Sequence, residues 1–414
     1  MPADLRGMVV RDPWYDCARD AAGVYQPNLA AQDRMGRILA ETGVRWVRLE
    51  FHVPDYPAGL EEAYRCYDHF IQTVAPANDL RVLAVLGFNL MRGRDVLNPQ
   101  TGIVSSTYVV DHPYGGAVND YMREWLDRAL AVSSRYGPNV HAYEVLNEQN
   151  RLPPNGDAVP PLIAARLHTK FYRFFKLVLR EQEGIFGFWR DTTPILVGGL
   201  HPRGTLEPDQ KGYLSDEQYL RRLYGLPADG GEPIAKEPFQ EYKNTLGAGK
   251  YPLDGLAYHP YPAEIITIAG LAQLGAELGR INLRLDQVRD VLVEVGTPEM
   301  PFWITELGYD AGRPLQNEYG QAQFLAVIFR ALAEREDIAG LFWFKYEDFP
   351  AGEFAPNRWG IVHIPFKLDP RCEGGACYVP NGAPQYRRPA YFTYRELAGL
   401  PVETLYLPQV VRSK

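Results

Sequence analysis

The feature that most constrains the fold is an eightfold alternation of short apolar runs with longer amphipathic segments. The runs are rich in β-branched and aromatic residues, whereas the segments repeat apolar residues every three or four positions, as strands and helices do. The predicted strands are Gly7–Arg11, Trp46–Phe51, Arg81–Gly87, Ala142–Glu148, Ile195–Leu200, Gly255–Tyr261, Phe302–Gly308 and Gly340–Tyr346. The predicted helices are Ala31–Glu41, Leu60–Val74, Asn119–Arg135, Ala164–Glu183, Asp216–Tyr224, Leu278–Val295, Glu318–Glu334 and Pro389–Leu397. Because successive parallel strands need a crossover, usually helical, this alternation predicts an α/β fold, a single (β/α)8 TIM barrel.

The length and composition fit one large barrel. With 414 residues, 46% of them hydrophobic, the chain can bury a sizeable core. We predict one domain over residues 1–414, with residues 399–414 as a tail after the last helix. Three connections that follow strands are long, namely Phe88–Val118, His201–Ser215 and Phe344–Arg388. Long loops at the C-terminal face of the strands predict that a functional site lies there.

The charge excludes some classes of partner. The formal net charge is −8 and no run of Lys or Arg occurs, which opposes a nucleic-acid partner. No apolar stretch approaches the roughly 20 residues of a membrane span. The segment Met1–Gly7 has no apolar core of the kind that signal peptides contain. We expect no membrane association; the location stays open between the cytoplasm and export with a leader removed, and the sequence does not indicate an oligomeric state.

The four cysteines indicate neither a disulfide scaffold nor a metal site. Their spacing contains no Cys-x-x-Cys pattern, so we predict no metal and no cofactor. Cys372 and Cys377 could close a small loop, which would indicate an oxidising compartment, whereas Cys17 and Cys66 have no obvious mates. Four free thiols in a reduced cytoplasm remain the alternative.

Two glutamates end predicted strands. Glu148 ends the run Ala142-Tyr-Glu-Val-Leu-Asn-Glu, and Glu306 follows Pro301-Phe-Trp-Ile-Thr. In a parallel barrel the carboxyl ends of all strands meet at one mouth, so these two carboxylates are expected to face each other. Cleavage of a glycosidic bond needs such a pair, one carboxyl protonated and the other ionised.

These residues resemble the retaining glycoside hydrolases of clan A, and the likeness covers nearly the whole chain. Asn147-Glu148 is similar to the clan's pair at the end of strand four, in which the glutamate is the general acid/base and the asparagine binds the sugar 2-hydroxyl. Glu306 is similar to the nucleophile that ends strand seven. Arg48, on strand two, matches the arginine that keeps the nucleophile ionised.

Further matches resemble families 5 and 39 of this clan. His259 and Tyr261 correspond to polar residues on strand six, and Trp343 on strand eight to a sugar-stacking platform. The chain departs from the pattern at Leu146 and Gln149, which replace the Trp and Pro that often flank the pair. The resemblance implies a carbohydrate substrate with β-type linkages.

The electrostatic expectation follows from the mechanism. An arginine close to Glu306 should lower the pKa of its carboxyl, and burial together with the neighbouring negative charge should raise the pKa of Glu148. Arg48 and Tyr261 are the expected partners. Asn147 should donate to a substrate hydroxyl.

Alternatives remain open at this point. The two glutamates could form rim ion pairs, Arg48 a structural salt bridge, His259 and Tyr261 core hydrogen bonds, and Trp343 core packing. At the level of the whole protein, the rivals are a metal-dependent amidohydrolase-type barrel and a non-catalytic carbohydrate-binding barrel. The first normally needs His-x-His on strand one, whereas this strand reads Met8-Val-Val-Arg-Asp12.

Overall fold

The computed structural model describes most of the chain. The described residues are 1–53, 59–91, 113–116, 118–151, 159–202, 214–228, 230–261, 271–313, 316–350, 358–373, 375–379 and 381–402. Much of the predicted connection 88–118, and residues 403–414 of the predicted tail, therefore lie outside the described residues. No helix in the part of the chain described is long and apolar enough to cross a membrane.

Eight parallel strands close into a barrel, which confirms the predicted fold. We number them β1 to β8 in chain order: Arg6–Val9, Trp46–Glu50, Arg81–Leu86, Ala142–Val145, Ile195–Leu200, Gly255–Tyr258, Phe302–Gly308 and Ile338–Phe344. Each strand pairs with its neighbours in sequence, and β1 pairs with both β2 and β8. Every predicted run overlaps its strand, and the bounds differ by at most a few residues.

Helices surround the barrel in the predicted places. We number the eight principal ones α1 to α8: Leu29–Thr42, Gly59–His69, Asp120–Tyr136, Pro161–Arg173, Asp216–Leu223, Leu271–Glu294, Glu318–Phe324 and Pro389–Leu397. Three continue as π-helical turns, over Phe70–Val74, Phe174–Leu179 and Leu325–Phe329. Shorter helices cover Ala75–Ala77, Arg180–Glu183, Trp189–Thr192, Pro238–Thr245 and Arg330–Leu332. Asparagine and serine side chains cap four of the principal helices, as Asn119 does at the start of α3, where it accepts from the backbone amide of Met122.

Alternation along the strands separates two layers of packing. One buried cluster fills the inside of the barrel with one residue from each strand: Val9, Trp46, Leu83, Ala142, Leu196, Ala257, Trp303 and Phe342. The side chains at the alternate positions of the strands point outward and pack against the helices in a much larger cluster. Because side chains alternate with period two, the residue two places further along each strand also points inward, toward the mouth. That next layer holds the polar residues of the site.

Two disulfides connect the four cysteines. Cys372 bonds to Cys377, and Cys17, after β1, bonds to Cys66 in α2. The expectation that Cys17 and Cys66 lack mates is wrong. The loop after β1 and helix α2 approach each other only in the folded barrel, and a sequence separation of 49 gives no local sign of the contact.

Thiol titration tests both bridges. The unfolded, unreduced protein should show no reactive thiol, and four thiols would contradict the disulfides. Removing the Cys17–Cys66 bridge in a double serine variant should lower the free energy of unfolding by about 4 kcal/mol, because the bridge spans 49 positions of the unfolded chain. The matched control, Cys372→Ser with Cys377→Ser, removes a bridge that spans only 5 positions, and it should lower the free energy of unfolding by about 2 kcal/mol.

Candidate active site

A buried arginine on β2 lies at the centre of the polar layer. Arg48 donates from Nη1 to Oε1 of Glu306 at 2.6 Å. It also donates from Nε and Nη2 to the two carboxylate oxygens of Glu144, at 2.8 and 3.0 Å. One guanidinium therefore joins carboxylates from β4 and β7, as the planar donor fork of arginine allows. Burial would lower the pKa of Arg48, but the charges of Glu144 and Glu306 outweigh it and raise the pKa, so the residue stays cationic.

Glu144 is a residue of the site that the sequence analysis missed. Its side chain has no exposed surface, and it accepts a further hydrogen bond from the backbone amide of Gly199 at 2.9 Å. It points inward because it lies two places after Ala142, which belongs to the inner cluster. The sequence did indicate this residue, because Glu144 is an acidic residue within an apolar strand, at a position whose side chain points into the barrel. Glu144 fixes the orientation of the Arg48 guanidinium.

A β-bulge brings Glu306 into the barrel. On β7, Ile304 pairs with Leu341 and Leu307 pairs with Trp343, so two residues of β7 oppose one of β8. Such an extra residue changes which face the following side chain takes. Thr305 is fully buried and Glu306 reaches the mouth, 9% exposed, where Arg48 meets it.

Tyr261 is the second partner of Glu306. Its hydroxyl donates to Oε2 of Glu306 at 3.0 Å, so both oxygens of the carboxylate accept hydrogen bonds. Burial, together with the negative charges of Glu306 and Glu148, raises the pKa of Tyr261 well above its ordinary value. The phenol therefore remains a hydrogen-bond donor to Glu306.

The turn after β4 places the other predicted residues. β4 ends at Val145, earlier than predicted, because Leu146 and Glu148 adopt left-handed backbone angles, with φ of 70° and 43°. Such angles in non-glycine residues cost on the order of 1–3 kcal/mol and are typical of functional sites. The turn directs Asn147 over the mouth, where its Oδ1 accepts from Nη2 of Arg48 at 2.8 Å.

Glu148 is nearly buried, 4% exposed, and its two carboxylate oxygens contact His259 and Arg151. The Nδ1 of His259 donates to Oε1 at 3.0 Å, and Nη1 of Arg151 donates to Oε2 at 2.6 Å. Burial alone would raise the pKa of Glu148, but the hydrogen bond from His259 and the charges of His259, His201 and Arg151 outweigh it and lower the pKa to about 2. The expectation of a raised pKa is wrong, because the sequence analysis overlooked Arg151 and His201.

The two glutamates lie close together. One carboxylate oxygen of Glu148, one of Glu306 and a ring nitrogen of His259 all lie within 4.8 Å of one another. Their spacing alone would suit a divalent cation. Both carboxylates, however, already share hydrogen bonds and charge with Arg48 or Arg151, so the negative charge that a cation needs is neutralised. The residues do not fit a metal centre.

Two glycines on β5 make room for the site. A Cβ on Gly198 would lie 2.3 Å from the carbonyl oxygen of Leu146, and a Cβ on Gly199 would lie 2.1 Å from Nε2 of His259. Neighbouring glycines inside a strand indicate that other groups approach closely.

Gly199→Ala should therefore cost far more activity than stability. The added methyl group would displace His259, and with it the hydrogen bond to Glu148, so we expect a fall in kcat/KM of about 10²-fold. Gly279→Ala is the matched control, because its Cβ would meet nothing within 4 Å on α6. An unchanged kcat/KM in Gly199→Ala would contradict the role of this close approach.

Trp343 lies outside the site. The side chain has no exposed surface, and its ring packs against Phe324 and Phe329 on the helical layer, at centroid distances of 6.1 and 5.9 Å. The expectation of a sugar-stacking platform at Trp343 is wrong, since a ring without exposed surface cannot contact a sugar. Phe344, one place further, has the inward parity and lies 6.3 Å from the ring of Tyr261.

The structure thus brings together six of the seven residues proposed from the sequence: Arg48, Asn147, Glu148, His259, Tyr261 and Glu306. Around them the aromatic wall of the mouth consists of Phe344, Tyr261 and Trp359. The Trp359 ring lies 6.0 Å from Tyr261 and 5.3 Å from Phe344. The sequence analysis had not placed Phe344 in this wall.

Comparisons with known proteins place the fold. No protein-family model matches the chain, and no curated protein matches its sequence. Among solved structures, it is similar to a family 39 glycoside hydrolase from Bacteroides cellulosilyticus WH2, with 13% identity, a TM-score of 0.51, and 96% of this chain and 64% of that chain covered. It is also similar to a β-glucosidase from Exiguobacterium marinum, with 12% identity, a TM-score of 0.53, and 96% and 98% covered. An endo-laminarinase from Formosa Hel1_33_131 matches with 14% identity, a TM-score of 0.50, and 87% and 84% covered.

These likenesses establish the barrel fold that such glycoside hydrolases share. The resemblance drawn from the sequence is confirmed at that level. The chain spans just under two thirds of the length of the family 39 enzyme, 64%.

Proposed function

We propose that the protein is a retaining glycoside hydrolase that cleaves β-type glycosidic bonds, with Glu306 as the nucleophile and Glu148 as the general acid/base. The observation that carries the proposal is the pair of carboxylates at the mouth, where one oxygen of Glu148 lies within 4.8 Å of one oxygen of Glu306. Retaining enzymes hold their carboxyl groups about 5–5.5 Å apart, whereas inverting ones leave about 6.5–9.5 Å for a water molecule. The short separation supports direct attack on the sugar.

The surroundings of the two glutamates support the division of roles. Glu306 accepts hydrogen bonds from Arg48 and Tyr261 through its two oxygens, and these contacts hold the carboxylate at the mouth for attack on the anomeric carbon. Glu148 first donates its proton to the leaving oxygen and later removes a proton from the attacking water. Asn147, whose Oδ1 is fixed by Arg48, donates its amide to a sugar hydroxyl.

The two rival readings have less support. The amidohydrolase reading needs a metal centre, and the charges around Glu148, His259 and Glu306 do not fit one. The non-catalytic reading leaves unexplained why Glu306 accepts hydrogen bonds from Arg48 and Tyr261 while a second carboxylate faces it. The names of the similar structures include a glucosidase, a laminarinase and a xylosidase, so the sugar and the choice between end and internal cleavage stay open.

A substrate screen tests the proposal. The purified protein should hydrolyse at least one member of a panel of aryl β-glycosides and β-linked polysaccharides, and proton NMR should show the β-anomer as the first product. A first product of α-configuration would overturn the retaining mechanism. Binding of a panel sugar without hydrolysis would favour the carbohydrate-binding barrel, and activity that depends on added metal would favour the amidohydrolase reading.

A further inference from the structure

Arg151 lies on the same turn as the proposed acid/base. Its backbone amide donates to the carbonyl oxygen of Glu148 at 2.8 Å, and its Nη1 donates to Oε2 of Glu148 at 2.6 Å. The side chain of Arg151 is 26% exposed, and that of Glu148 is 5% exposed. This ion pair is therefore largely sheltered from solvent, where charge–charge interactions are stronger than at an open surface.

The backbone that carries Arg151 is fixed by its two preceding residues. Gln149 donates from Nε2 to the carbonyl oxygen of Gly198 at 3.1 Å. Asn150 bonds both backbone groups of His201, donating to its oxygen at 2.7 Å and accepting from its nitrogen at 3.0 Å. Because these contacts attach the turn to β5 and the loop after it, the position of Arg151 beside Glu148 is set by the fold.

Charged and titratable groups face Glu148 from several elements. Arg151 approaches from its own turn, His201 from the segment after β5, and His259 and Tyr261 from the segment after β6. Glu306 approaches from β7, and Arg48 on β2 reaches the neighbouring Asn147. Of these, Arg151 is the permanent cation that bonds Glu148 directly, and its charge contributes to the lowered pKa of that carboxyl.

We propose that Arg151 is a positioning residue whose ion pair with Glu148 confines hydrolysis of poor leaving groups to acidic pH. The inference rests on the proposed function, because it concerns the proton that Glu148 gives to the leaving oxygen. Protonation of Glu148 removes its attraction to Arg151, so the protonated form is disfavoured while the ion pair exists. Loss of Arg151 makes the active, protonated form easier to populate.

The pH dependence of kcat/KM is the kinetic test, measured on an alkyl or unactivated glycoside that the screen identifies. The basic limb of this profile reports ionisation of the acid in the free enzyme. In Arg151→Gln the basic limb should move upward by about one to three pH units, and activity above the wild-type limb should rise about tenfold for each unit. Arg151→Lys, which keeps the charge, should restore the wild-type limb.

Gain of activity at neutral pH distinguishes this role from a structural one, which would only lower activity. An unchanged basic limb in Arg151→Gln would overturn the proposal, and so would Arg151→Lys behaving like Arg151→Gln. Arg123→Gln is the matched control, because Arg123 forms a similar i,i+3 ion pair with Asp120 on the exposed surface of α3. It removes the same charge from the protein, and its profile should match wild type.

A titration without substrate separates this inference from the proposed function. Infrared difference spectra between the protein and its Glu148→Gln counterpart give the pH at which the Glu148 carboxyl ionises. That pH should rise by about one to three units when both proteins also carry Arg151→Gln. No shift would overturn the role of Arg151 alone. A shift in a protein that hydrolyses no glycoside would overturn the proposed function and leave the ion-pair effect standing.

Discussion

Glu306→Ala should lose nearly all turnover, on the order of 10⁴-fold or more, because it removes the carboxylate that we propose forms the covalent intermediate. Added azide should restore turnover partly by entering the space that the carboxylate leaves. The anion then attacks the face of the sugar that the nucleophile would have used, so the product should be the glycosyl azide of inverted configuration. NMR of the isolated azide measures this outcome directly.

Glu148→Ala is the matched variant on the opposite side of the bond. The rate should fall about 10²–10⁴-fold for substrates whose leaving group needs a proton. Formation of the intermediate from dinitrophenyl glycosides should slow only a little, because dinitrophenolate departs without protonation. Azide should speed breakdown of the intermediate, since this anion needs no general base, and should give the azide of retained configuration. Azides of exchanged configuration from the two variants would mean that the roles are reversed. Wild-type activity in both would place the active site elsewhere.

Arg48→Met should lower the free energy of unfolding by about 3–5 kcal/mol. Glu144 and Glu306 would then remain buried without the cation that bridges them, and an uncompensated buried charge is costly. Urea unfolding of wild type and variant, followed by tryptophan fluorescence, measures the loss. Turnover should fall as well, because Glu306 would lose the guanidinium that binds its Oε1.

A double variant serves as the control for Arg48→Met. Glu144→Met removes the charge that Arg48 binds through two oxygens, so Arg48→Met with Glu144→Met should recover part of the lost stability. The effects of the two substitutions should therefore be strongly non-additive. If Arg48→Met costs less than about 1 kcal/mol, or if the two effects simply add, the buried network does not stabilise the barrel in this way.

The strands could be predicted from the sequence because each is a short apolar run between helical segments. Ile195–Leu200 and Phe302–Gly308 have the predicted bounds. The predicted strand Ala142–Glu148 is too long, since the left-handed angle at Leu146 ends β4 at Val145. A local backbone angle of this kind depends on the turn that packs against β5, and apolar periodicity carries no sign of it.

The site residues that end strands could be predicted from the sequence. Those for which alternation along the strand decides whether the side chain points into or out of the barrel were harder to predict. Trp343 was selected by residue type, although the alternation of Phe342 and Phe344 in the same strand assigns it to the outer face. Glu144 was overlooked inside a run that was read only as apolar. Glu306 faces inward through a bulge on β7, which the sequence pattern does not reveal.

Electrostatics was the least predictable part. The sequence analysis considered burial and one negative neighbour for Glu148, which together raise a carboxyl pKa. The structure adds Arg151 from the same turn, and His201 and His259 from the segments after β5 and β6. Together these three residues lower the pKa of Glu148. Such a sum depends on distances that only the folded barrel fixes. The contact between Cys17 and Cys66 escaped the sequence analysis for the same reason.

The contacts of Arg48 join active-site residues from the two halves of the chain. Strands β1 to β4 and their following segments carry Arg48, Asn147 and Glu148, whereas β5 to β8 and their following segments carry His259, Tyr261 and Glu306. A fragment that ends after β4 would hold the acid/base and the guanidinium without a nucleophile, and its complement would hold the nucleophile without its counter-charge. Neither fragment would therefore contain a complete active site. Turnover regained on mixing two such fragments would therefore report closure of the ring of strands itself.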